Sequence, residues 1–84
     1  MNVYDVKIYS DGTRYWYKHG KLSRVLHRVE GPAVECFNGD KYWYFNGRCH
    51  REDGAAIEYA NGTKKWYLEG KKVTEAEFIA LKRS

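Results

Sequence analysis

Two dipeptides in this chain carry the side chains best suited to chemistry, and they recur at matching places: His27-Arg28 and His50-Arg51. An arginine fork grips a carboxylate or phosphate through parallel hydrogen bonds, and a neighbouring histidine adds a donor, so each pair is a candidate anion site. The architectural alternative is that the histidine packs on the nearby tryptophan while the arginine pairs with Glu52 or Glu58 or caps a turn. The recurring histidines and the two cysteines, Cys36 and Cys49, lack the close spacing of zinc ligands. There is no glycine-rich loop leading from a strand into a helix and no nucleophile in a recognised motif. The chain therefore reads as a binding protein and not an enzyme, with no cofactor or metal expected.

The other residues that could meet a ligand are tyrosines and basic side chains. A Tyr-Trp-Tyr segment recurs, and alternation along a strand divides it into two columns. Trp16, Trp43 and Trp66, continued by Phe45 and Leu68, form one; Tyr15, Tyr17, Tyr42, Tyr44 and Tyr67 form the other. A single-layer sheet of this size cannot bury both. The tryptophan column is the expected core, covered by a C-terminal helix, which leaves the tyrosines partly exposed. They either stack on one another as cross-strand neighbours or form a contact surface, since Tyr and Arg are enriched where proteins meet. Lys21, Arg48 and Lys71 follow the second turn of each copy, and Arg14, Lys41 and Lys64 lie two residues before each tryptophan. Such ladders are either solvated edges that discourage aggregation or a positive strip facing an acidic partner.

The elements that must position these residues are set by glycine. Gly12, Gly20, Gly31, Gly39, Gly47, Gly54, Gly62 and Gly70 fall at intervals of 8, 11, 8, 8, 7, 8 and 8 residues, and all read as turns. Five follow Asn or Asp, including Asp53-Gly54, a pairing that accepts positive φ cheaply. His19, Glu30 and Glu69 precede the other three and are weaker turn formers. Between the glycines lie short stretches rich in Tyr, Trp, Val and Ile, the composition of strands. The tryptophans mark three copies spaced 27 and 23 residues apart, the difference being Ser23-Arg24-Val25-Leu26, an insertion that should extend a strand or form a bulge. After Lys72, Thr74 and Glu77 have the spacing of a capping box, which starts a helix over about Glu75 to Lys82 with Phe78, Ile79 and Leu81 as its apolar face.

The expected fold is all-β with one C-terminal helix: an antiparallel meander of about eight short strands built from three β-hairpin repeats. It forms a single domain over residues 1–84. An N-terminal strand lies in 1–10, repeat 1 with its insertion in 11–37, repeat 2 in 38–60, a partial repeat 3 in 61–73 and the capping helix in 74–84.

The stretch from Tyr42 to Lys64, which runs from repeat 2 into repeat 3, reads YWYFNGRCHREDGAAIEYANGTK. Through Tyr42, Trp43, Tyr44, Asn46, Gly47, His50, Arg51, Asp53, Gly54, Ala56 and Glu58 it resembles the MORN-repeat variant of short phage and large-virus proteins. The likeness runs from Asp11 to Val73. Copy one departs from it by its insertion and by Val29-Glu30, and copy three lacks His-Arg. The resemblance implies a β-hairpin repeat of viral origin, and it carries over no catalytic residues.

Composition bounds the partners. Eight Tyr, three Trp and three Phe must supply most of the core of so short a chain. The formal charge of +4 is a mild basic excess with both signs interspersed, which favours anionic partners only weakly. The N-terminus lacks the apolar stretch of a signal peptide, and no run approaches the length of a membrane span. Cys36 and Cys49 fall on separate strands, too far apart for an easy disulfide. A cytoplasmic protein is expected, in the host cell if viral. It would engage a host protein as an inhibitor of an antiviral defence factor. The alternatives are sequestration of a small anionic nucleotide and single-stranded nucleic-acid binding, and homo-oligomer formation is also expected of an exposed aromatic face.

Overall fold

The computed structural model describes residues 4–20 and 24–83. Lys21 and Ser23 lie outside them. The described residues form nine strands and one helix: β1 (Tyr4–Ile8), β2 (Arg14–Lys18), β3 (Val34–Glu35), β4 (Lys41–Tyr42), β5 (Tyr44–Phe45), β6 (Arg48–Cys49), β7 (Ile57–Glu58), β8 (Lys64–Leu68), β9 (Lys71–Val73) and α1 (Glu75–Arg83). The main sheet runs β1-β2-β3-β4-β7-β8-β9, antiparallel throughout, and β5-β6 is a hairpin set apart from it.

Two turn chemistries alternate. The first is built three times from an Asx-Gly pair: Asp11, Asn38 and Asn61 each accept through their side-chain oxygen from the backbone N–H two residues on, at 2.9, 3.0 and 2.9 Å. The glycine that follows takes φ of +95°, +101° and +93°, the left-handed value that closes a three-residue loop with a bulge. The second is a two-residue turn with both central residues left-handed, Asn46-Gly47 (φ 51° and 81°) and Glu69-Gly70 (52° and 83°). Gly31 and Gly54 lie where the chain bends but belong to neither class. Neither has a left-handed φ. Both lie in bends, and a Cβ there would come within 3.1 Å of the guanidinium carbon of Arg28 or Arg51, so what these positions need is room for a side chain and not a positive φ.

The register separates the faces. Tyr15, Val34, Tyr42, Ile57 and Lys65 are successive cross-strand partners on one side, and Arg14, Glu35, Lys41, Glu58 and Lys64 on the other. Trp16 and Trp66 share the second side by alternation along β2 and β8. The buried apolar residues are Ala33, Val34, Ala55, Ala56, Ile57 and Phe78. The tryptophan column is therefore not the sealed core that was expected. Val34 and Ile57 lie on the tyrosine side, all three indoles are half-buried, and Phe45 is exposed. The molecule measures 38 × 28 × 20 Å.

The inserted Val25 and Leu26 extend the pairing of repeat 1, since Val25 accepts from Lys18 N–H at 2.8 Å and Leu26 bridges Tyr17. The helix begins with a capping box in which Thr74 N–H donates to Glu77 Oε1 and Glu77 N–H to Thr74 Oγ1, at 2.8 and 3.0 Å. Of its expected apolar face only Phe78 is buried; Ile79 and Leu81 are exposed, because one short helix touches the sheet along a single line.

Candidate interaction site

Each full repeat folds its His-Arg pair in the same way, so the site can be built from one copy. Arg51 lays its guanidinium on the ring of Trp43, 3.9 Å from the ring centre, and Arg28 does the same on Trp16 at 4.0 Å. An indole is the best aromatic seat for a cation, and a guanidinium covers apolar surface while keeping its donors at the rim. Those donors are largely engaged. Arg51 donates through Nη1 to the Ala55 carbonyl and to Glu58, both at 3.0 Å, and through Nε to Asp53 at 2.8 Å. Arg28 donates through Nη1 to the Pro32 carbonyl at 3.1 Å and to Glu35 at 3.4 Å, but its buried Nε has no hydrogen-bond partner. The matching place to Asp53 is Glu30, one methylene longer, and its Oε2 accepts from the Tyr4 hydroxyl at 3.0 Å.

The histidines do not pack on tryptophan. His27 Nδ1 accepts from Asn46 N–H at 2.9 Å, and His50 Nδ1 accepts from Glu69 N–H at 2.8 Å. Each ring thus receives the tight turn of the following repeat. The same seams are closed by Gly47 N–H to Leu26 O and Gly70 N–H to Cys49 O, both 2.8 Å, and by Arg28 N–H to Tyr44 O and Arg51 N–H to Tyr67 O at 3.2 and 3.3 Å. Acceptance at Nδ1 requires the neutral imidazole with its proton on Nε2, and in His50 that nitrogen lies 3.3 Å from Glu52. Burial, aided by the positive charge of Lys18, holds His27 below the usual histidine range.

The tyrosines spend their surface on one another. Tyr15 and Tyr17 stack at 6.2 Å with 13° between their planes, Tyr9 meets Tyr15 edge-on at 5.3 Å, and Tyr42 meets Tyr59 edge-on at 6.2 Å. Burial raises the phenol pKa of Tyr15, Tyr42 and Tyr44. Tyr17, Tyr44 and Tyr67 are half-buried as well. The presumed ladder of Arg14, Lys41 and Lys64 is not a strip of one sign, because Glu35 and Glu58 stand between its members in the register. Arg48 and Lys71 are exposed beside the tight turns, with Gly70 against the Arg48 stem. Burial pushes the Cys49 thiol up to about 11 and raises Cys36 too, so both free thiols stay protonated and are poor nucleophiles.

What remains open on the tryptophan side is a groove of about 750 Å³ between the loops of repeats 1 and 2. Trp43 under Arg51 forms its floor, and Phe45, 43% exposed, and Val29, 53% exposed, stand at its wall. Arg28 and Lys82 supply positive charge, Glu30, Glu52 and Asp53 negative. The sequence marked Val29 only as a departure of copy one, standing where repeat 2 has Glu52, and Lys82 only as the end of the helix; the fold brings both to the groove. A second hollow, of about 430 Å³, lies beside Trp66, where no arginine covers the indole because the helix replaces the His-Arg loop. Among the described residues no helix is long and apolar enough to cross a membrane, and no three potential metal ligands cluster. No protein-family model, curated protein or solved structure matches the chain, and the reading of the site rests on its own geometry.

Proposed function

We propose that this chain is a non-enzymatic binding protein that engages another protein through the groove between its first two repeats. The observation that carries this reading is the exposed pair Phe45 and Val29 beside the arginine-covered Trp43, ringed by charges of both signs. An apolar centre with a mixed polar rim is the anatomy of a protein contact, and its aromatic and arginine residues are those that dominate binding energy. The resemblance to viral repeat proteins extends the proposal to a host protein as partner, with the chain acting as inhibitor of an antiviral defence factor.

Val29→Glu is the sharpest test, because repeat 2 already holds a glutamate at the matching position and folds normally around it. Captured from host lysate by the wild-type chain, the partner should bind the variant at least about tenfold more weakly, as expected of a contact near the centre of an interface. Thermal melting should be unchanged. Equal affinity of the two proteins for the captured partner would refute the groove as contact surface.

Arg28 in the groove lining supports a second reading, in which a small anionic nucleotide meets the open side of its guanidinium. Native mass spectrometry of protein recovered from infected cells separates the two: a nucleotide-sized adduct lost in Arg28→Lys for this reading, a bound protein for the first. Arg51 is a poorer anion site, since a phosphate there would have to displace both Asp53 and Glu58.

A further inference from the structure

β1 lies at the end of the main sheet, paired with β2 along one side only among the described residues. Its hydrogen-bonding phase follows from its neighbours. Tyr9 N–H donates to Thr13 O at 2.8 Å, so the odd-numbered residues of β1 turn their backbone groups towards β2. Trp16 and Lys18, opposite Val6 and Tyr4, donate the other way, to Ala33 O and Val25 O. Tyr4, Val6 and Ile8 therefore present N–H and C=O at the open edge. Their side chains lie on the tryptophan side, with Val6 46% and Ile8 64% exposed. Asp5 and Lys7 point to the other side.

We propose that this edge is the contact between two copies of the chain, which pair β1 to β1 antiparallel about a two-fold axis at Val6. In that register Val6 faces Val6 of the second copy, Tyr4 faces Ile8, and Asp5 faces Lys7. Every facing pair on the apolar side is a narrow hydrogen-bonded one that uses the outward backbone groups, and on the other side each carboxylate meets an ammonium. The contact is isologous and closes at two copies.

The charges select this register. Sliding the strands by two residues one way sets Asp5 against Asp5, and the other way sets Lys7 against Lys7. A slide by one puts apolar side chains against charged ones and misaligns the donors. The lysine that guards the edge against other strands is thus neutralised only by the second copy in one alignment. Asp5 Oδ1 also lies 3.0 Å from His19 Nδ1 and accepts from it when that nitrogen carries a proton, while both side chains stay at least half exposed.

Sedimentation over a concentration series tests the proposal, with a dimer expected for the wild-type chain. Lys7→Asp and Asp5→Lys should each weaken self-association about tenfold or more, since each sets like charges face to face twice per dimer. An equimolar mixture of the two variants should associate again, because the altered residues then meet opposite charges. Val6→Pro removes the donor at the axis while sparing the β2 ladder, and should give a folded monomer by circular dichroism. A wild-type chain that stays monomeric overturns the proposal. So does a dimer indifferent to both charge changes, whether or not the proline variant folds.

Discussion

At the scale of the residue, the arginine on each tryptophan explains several choices around it. The guanidinium needs a flat seat, a carboxylate across the sheet and an empty space at its back, and Trp43, Glu58 and Gly54 supply these for Arg51. Gly54→Ala changes one of them alone, because the backbone there is not left-handed. The added methyl would crowd the guanidinium carbon at 3.1 Å. A loss of about 1–2 kcal/mol in urea unfolding is expected, the usual cost of overpacking, together with a change in tryptophan fluorescence as the cation shifts. Wild-type stability and spectrum in this variant would show that the glycine serves no such purpose.

Turns and their receivers are the working elements of the repeat. The tight turns of repeats 2 and 3 have the same φ pattern, yet the first central residue is Asn46 in one and Glu69 in the other. A glutamate has no local means of easing the left-handed conformation, whereas asparagine adopts it readily. Glu69→Asn should therefore raise stability by about 0.5 kcal/mol, leaving the Glu69 N–H donation to His50 in place because it is a backbone bond. An unchanged or lowered melting temperature would count against the turn assignment. The sequence already marked Glu69-Gly70 as a weak turn former; only the coordinates show that a histidine of the preceding repeat holds it.

For the whole molecule, the seams between repeats make stability depend on pH. His27 accepts a backbone N–H and is held below the ordinary histidine value of 6.5 by burial first and Lys18 second. The folded chain thus binds this proton less readily than the unfolded chain. Its contribution is complete above that ordinary value and is lost as pH falls through it towards the lower folded one. Melting temperature should fall as pH drops below the ordinary histidine value. His27→Asn offers a side-chain carbonyl that does not titrate, and should flatten that part of the curve even if it melts lower throughout. A curve as steep as wild type would place the effect elsewhere. Such seams carry weight because the indoles and the column tyrosines are only half-buried, so neither face forms a sealed core.

The class of fold was legible in the amino-acid order because it rests on local chemistry. Asx-Gly pairs close their turns with atoms two residues apart, and Thr74 and Glu77 cap the helix between themselves. The three copies were visible for the same reason, since each repeats those local signals around a tryptophan. Which face is buried, and what the arginines, histidines and two of the glycines are for, depended on partners far along the chain. Alternation within a strand separates two columns but does not say which is covered. That was decided by the cross-strand register, which sets Val34 and Ile57 among the tyrosines, by arginines that roof the tryptophans from a neighbouring loop, and by glutamates that interrupt the basic ladder.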